Sequence, residues 1–166
     1  MEITSKTRYA DFAAIEPYIT QETADAIRAA ACQQYKPYAA LTIDEFWGLL
    51  SGDFSLLGDM QDRSVLQEYW VRGFADFVEQ LTGTLKRMQL PEDPNKTQAL
   101  QKGCVDMTPQ EGMLVFVRNY FGLPSFLAAG RRTLGEFVTA KKDDYNKGMQ
   151  RHNFEAMQAA KLKIKK

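Results

Sequence analysis

The strongest periodic signal along the chain runs from about Ser64 to Leu90. At about 100° of turn per residue, Leu66, Trp70, Phe74, Phe77, Leu81, Leu85 and Met88 share an arc of roughly 100°, the width of one core-facing stripe. This predicts a central helix. Gly73 and Gly83 lie inside it, each about 1 kcal/mol less favourable than Ala in a helix interior. Either a neighbour packs closely there or the helix bends. Pro91-Glu92-Asp93-Pro94 stops it, and residues 95–102 read as a polar connector with room for two helical turns.

Around this element the pattern stays helical. Residues 20–35 are Ala-rich with acids in the first turn, and Lys36-Pro37 ends them because the residue before Pro avoids the helical region. Ile43 to Leu50 reads as a short helix closed by Ser51-Gly52, and residues 53–62 as a loop or a single helical turn. The near-continuous apolar run from Met113 to Phe121 has the β-branched content of a buried strand. The start signal before it, Thr108-Pro109-Gln110-Glu111, argues instead for a buried helix. Ser125 can cap a short turn at residues 126–129.

One phrase occurs twice: Thr42-Ile43-Asp44-Glu45-Phe46 and Thr133-Leu134-Gly135-Glu136-Phe137. Thr followed three residues on by Glu is a capping box. The Thr hydroxyl accepts from a first-turn N–H, and the Glu side chain reaches back to the Thr N–H. The second copy opens the last element. One helix from Leu134 to Lys163 would be roughly 45 Å long at about 1.5 Å per residue, longer than a compact body of this size is wide. It therefore either breaks, with Gly148 the candidate, or projects. Its apolar residues also change face: Leu134, Val138, Tyr145 and Met149 fall together, while Phe154 lies about 140° away from Met149.

Composition sharpens this picture. The chain has 166 residues, 45% of them hydrophobic, enough for one core and too apolar for a disordered chain. Its formal net charge of zero hides an asymmetry. Residues 1–130 carry 11 Lys/Arg against 17 Asp/Glu, whereas residues 131–166 carry 10 against 4. The expected organisation is a single compact all-α domain of five to seven helices, with an acidic body at 1–130 and a basic C-terminal helix at 131–166 that either projects from it or packs on it. Cys32 and Cys104 lack metal-ligand spacing and read as free thiols. No signal-peptide pattern and no run long enough to span a membrane is seen, so a cytoplasmic protein with no membrane association is expected.

Candidate chemistry is sparse. The single histidine, His152, sits in the polar tail, and the glycines form no phosphate-cradling pattern. Asp143-Asp144 and Asp59/Asp62 lack the glycine and closing glutamate of a calcium loop. An enzyme would have to assemble its site from scattered groups such as Glu45, Asp76 and Tyr120. The expectation is therefore no catalysis, no cofactor and no metal. Binding is the more direct reading, by a helix that uses Phe137, Tyr145, Met149, Phe154 and Met157 as anchors with Arg151 among the basic rim. The same basic tail permits a second reading, nucleic-acid binding through Lys161, Lys163 and Lys165.

The segment Leu41-Thr42-Ile43-Asp44-Glu45-Phe46-Trp47 resembles the Leu-Thr-x-x-Glu-Phe-Trp phrase of tailed-bacteriophage and prophage tail assembly chaperones. Thr133 to Met157 is similar in pattern to the Thr-Leu-x-Glu-Phe phrase and long charged helix with which some of them end. The resemblance implies a non-catalytic helical protein that holds a tape-measure protein and tail-tube subunits before assembly.

Overall fold

Ser64 is where the chain commits to its central helix. The Gln67 N–H donates to the Ser64 hydroxyl at 3.1 Å and the Ser64 N–H donates to Gln67 Oε1 at 2.7 Å, a complete capping box. Gln67 is buried, yet its Nε2 donates to the carbonyls of Leu57 and Asp59 at 2.8 and 3.0 Å, so nothing on its amide is stranded. A computed structural model, which describes residues 2–165, shows eight α-helices among them and no strand. These are α1 (Tyr9–Phe12), α2 (Gln21–Gln34), α3 (Ile43–Leu50), α4 (Val65–Arg87), α5 (Pro94–Gln101), α6 (Pro109–Phe121), α7 (Phe126–Gly130) and α8 (Leu134–Ile164). Single 3-10 turns cover Glu16–Tyr18, Tyr38–Ala40 and Ser55–Leu57. The fold is all-α; α1 and α7 are one-turn additions to six longer helices.

α4 is the axis of the core. Leu66, Trp70, Phe74 and Leu81 of its stripe are buried, and Phe77, Leu85 and Met88 are half-buried toward its C-terminal end. α2 and α1 pack along it, α3 packs on α7, and α6 lies against α7 and α8. The Met113–Phe121 run is helical: Thr108 and Glu111 complete a capping box, Pro109 occupies the first position, and Met113 and Val117, four residues apart, are its buried face.

The two interior glycines of α4 differ. The Tyr38 hydroxyl donates to the Trp70 carbonyl at 2.8 Å and crosses the helix so closely that a Cβ on Gly73 would lie 2.2 Å from it. Gly73 is thus the gap through which the Tyr38 ring reaches Trp70 and Phe77, at centroid distances of 5.0 and 5.4 Å. At Gly83 the nearest atom to such a Cβ is the flexible Arg87 Nη1 at 3.6 Å, an ordinary contact. α8 also has a resident glycine, and it does not break there. Leu90 packs onto Gly148, with its Cδ1 2.8 Å from where a Cβ would stand, and the helix continues unbroken for 31 residues.

The repeated phrases meet in space. Thr42 and Thr133 form an antiparallel bridge in which the Ile43 N–H donates to the Arg132 carbonyl at 2.9 Å and the Leu134 N–H to the Leu41 carbonyl at 2.8 Å. The first N–H of a helix normally has no partner. Here each of two helix starts supplies an acceptor to the other, and Leu41, Ile43 and Leu134 are fully buried around the joint. The same device recurs at Arg8 and Ser64: the Tyr9 N–H donates to Arg63 O at 2.9 Å and the Val65 N–H to Thr7 O at 2.8 Å. The two phrases differ in one detail. Thr42 and Glu45 close a full capping box, whereas at Thr133 only the hydroxyl half forms, and Glu136 accepts instead from Arg132 at 2.8 Å and from the Thr133 hydroxyl at 3.3 Å.

Gly83→Ala should stabilise the protein by about 1 kcal/mol through helix propensity. Gly73→Ala should destabilise it by about 1–3 kcal/mol, because the new methyl displaces Tyr38. Urea unfolding of both variants checks the opposite signs.

Candidate functional site: the C-terminal helix

α8 begins inside the body and ends outside it. Leu134, Phe137 and Ala140 are buried, Tyr145, Gly148 and Met149 are half-buried, and every described residue from Gln150 to Lys165 is exposed. The charge changes sign near residue 131, but packing stops at Met149. Phe137 therefore leaves the anchor set: it is 2% exposed and its ring packs edge-on against Phe116 at 5.9 Å. Tyr145 and Met149 belong to the docked half, with Tyr145 lining a shallow groove beside Arg87, Met88 and Lys142. Of the predicted partner residues, Arg151, Phe154 and Met157 stand free, the two apolar ones at 56% and 47% exposure.

Two further apolar residues join them. Leu162 and Ile164 are 68% and 85% exposed. At about 100° per residue, Phe154, Met157 and Ile164 fall within roughly 80° of one another, on the side of the helix opposite its docked face. Leu162 lies off that row. Arg151, Lys161, Lys163 and Lys165 surround it against the lone Glu155, so the protruding half is basic. The i, i+3, i+10 spacing of the row was readable in the sequence; the exposure that gives it meaning was not.

The attachment of α8 is polar as well as apolar. Lys141 Nζ sits 4.1 Å from the centre of the Phe116 ring. The Tyr120 hydroxyl donates to Asp143, which also accepts from Lys147 at 2.7 Å, and Lys147 with Tyr120 holds the Asp143 carboxyl below its ordinary range. Glu45 is spent on the Thr42 N–H and on Lys36, whose Nζ donates to it at 2.6 Å. Glu45 and Tyr120 are thus each engaged in holding structure. Among the described residues no group of three His, Cys, Asp or Glu side chains could hold a metal ion, and no helix is long and apolar enough to cross a membrane.

The densest polar cluster lies elsewhere, between α1 and α4, and sequence reasoning missed it. Glu16 accepts from the Tyr9 hydroxyl at 2.6 Å, from the Tyr69 hydroxyl at 3.0 Å and from Arg72. Arg72 also donates to Glu68 at 2.9 Å and to the Tyr9 oxygen at 2.6 Å, and it lies over the Tyr9 and Tyr69 rings. Burial alone would push the Glu16 carboxyl up, but the hydrogen bonds from Arg72, Tyr9 and Tyr69 outweigh it and hold it below its usual value. Burial, reinforced by Glu16, pushes the Tyr69 phenol up to about 12. Glu16 pairs with residues 53 and 56 positions away, so no local spacing announces the cluster. With its two hydroxyls and its guanidinium meeting on Glu16, it ties α1 and the turn after it to α4.

No protein family, curated protein or solved structure matches this chain.

Because the folded Glu16 carboxyl titrates below the unfolded value near 4.3, its contribution to stability is complete above that value and is lost as pH falls through the folded one. Unfolding free energies measured from pH 6 to pH 3 should fall less steeply for Glu16→Gln than for the wild type.

Proposed function

We propose that this protein is a non-catalytic binding or assembly protein that engages a protein partner through the distal half of α8. The observation that carries the reading is the row of Phe154, Met157 and Ile164, presented on a continuous helix beyond the last residue that packs on the body. A spacer helix needs only polar residues on all sides. An apolar row with a basic rim suits a helix that lies in a partner's groove, its lysines meeting an acidic border. The two free thiols fit a reducing compartment, which supports a cytoplasmic location.

The resemblance of the Leu41-to-Trp47 and Thr133-to-Phe137 phrases to phage tail assembly chaperones supports a narrower version. In it the partners are a tape-measure protein and tail-tube subunits. Nucleic-acid binding draws on the same lysines but gives the apolar row no role, so it ranks second.

Phe154→Ser, Met157→Ser and Ile164→Ser combined should leave stability within about 0.5 kcal/mol of wild type, since all three sites are exposed. The triple variant should lose partner capture in pull-downs from cells that produce the tail proteins. Undiminished capture would contradict the reading. Duplex DNA binding that weakens with salt, and is abolished by Lys161→Ala, Lys163→Ala and Lys165→Ala together, would favour the nucleic-acid alternative.

A further inference from the structure

The C-terminal half of α4 and the facing parts of α3, α6 and α8 enclose a cleft of about 590 Å³. Its floor is the core itself, made by Phe46, Leu81, Met113 and Phe137, and Trp47 and Leu85 extend the apolar wall. The volume lies within the range of small-molecule sites, which are apolar with a few placed polar groups and often sit between the helices of a bundle.

Its charged groups are of one sign. Lys86 of α4 and Lys141 of α8 line it, and no carboxylate does. The neighbouring groove shares Met88 and adds Arg87 and Lys142, again without a carboxylate. Some cations elsewhere on the molecule sit against a carboxylate, among them Lys36, Arg72, Arg132 and Lys147. Lys86 and Lys141 take part in no ion pair among the described residues, and Lys141 is steered onto the Phe116 ring at 4.1 Å. Two unmatched ammonium groups beside a greasy floor are complementary to a molecule with the inverse arrangement, an apolar chain that ends in an anion.

We propose that this cleft binds a single-chain anionic amphiphile of the fatty-acid class, with its hydrocarbon on the Phe46–Met113 floor and its carboxylate between Lys86 and Lys141. Head-group charge and chain length then both set affinity. Each methylene removed from the chain weakens binding about fourfold.

The test is displacement of anilinonaphthalene sulfonate from the full-length protein, with each competitor below its micellar concentration. Dodecanoate should displace the dye at least tenfold more effectively than dodecanol or dodecyltrimethylammonium, and decanoate, two methylenes shorter, about sixteenfold less effectively than dodecanoate. Lys86→Ala with Lys141→Ala should remove the preference for dodecanoate over dodecanol. Gly112→Phe provides an independent block: Gly112 lines the cleft, a Cβ there meets no atom within 4 Å, and replacing a glycine within α6 favours the helix. This variant should melt no lower than wild type and bind neither dye nor dodecanoate. Equal displacement by dodecanoate and dodecanol, or dodecanoate binding that survives Gly112→Phe, would overturn the proposal, as would an acidic apolar peptide displacing the dye where dodecanoate does not.

Discussion

Two backbone hydrogen bonds, from Ile43 to Arg132 and from Leu134 to Leu41, are the joint on which the architecture turns. A helix start is a place of unmet demand, since its first N–H groups point along the axis with no carbonyl below them. Side-chain caps answer the amide of the third position, as Thr42, Ser64 and Thr133 do. In this chain the amide of the first position is answered too, by setting two helix starts side by side in antiparallel sense. The joint lies in the fully buried company of Leu41, Ile43 and Leu134, where an unpaired amide would cost about 1–3 kcal/mol. Burial and pairing therefore enforce each other. Arg8 and Ser64 repeat the solution at the other end of the core, so α1 and α4 leave one joint while α3 and α8 leave the second.

This arrangement explains why the last helix protrudes. Its start is clamped at the bridge with α3, its first four turns are used against α6 and the Tyr38–Ala40 turn, and a straight helix of 31 residues then has nowhere to go but outward. Gly148 allows Leu90 to seat against the helix just before it leaves the body. The end that remains in water is basic, with Arg151, Lys161, Lys163 and Lys165 against the lone Glu155.

Much of the secondary structure was legible because its signals are local. Thr42, Ser64, Thr108 and Thr133 all mark real helix starts, Pro109 sits where it costs no hydrogen bond, and the Leu66-to-Leu81 stripe is the core. What stayed hidden is non-local. That the Thr42 and Thr133 phrases face each other, that Tyr38 fills the space over Gly73, and that Glu16 gathers Tyr9, Tyr69 and Arg72 all depend on pairings tens of residues apart. Burial along α8 is non-local in the same way. Phe137 has the size and spacing of an anchor, yet spacing cannot say that Phe116 covers it, whereas Phe154 and Met157 lie beyond the point where anything does.

The molecule thus combines a body held at two helix-start joints with a helix half committed to the outside. Native-state hydrogen exchange of individual backbone amides tests the central joint most directly. The Ile43 and Leu134 N–H groups should exchange only through global unfolding, as slowly as the amides in the middle of α4, while the Gln21 N–H at the same position of α2, which has no such partner, exchanges fast. Rapid exchange at Ile43 and Leu134, at the rate of Gln21, would contradict the account.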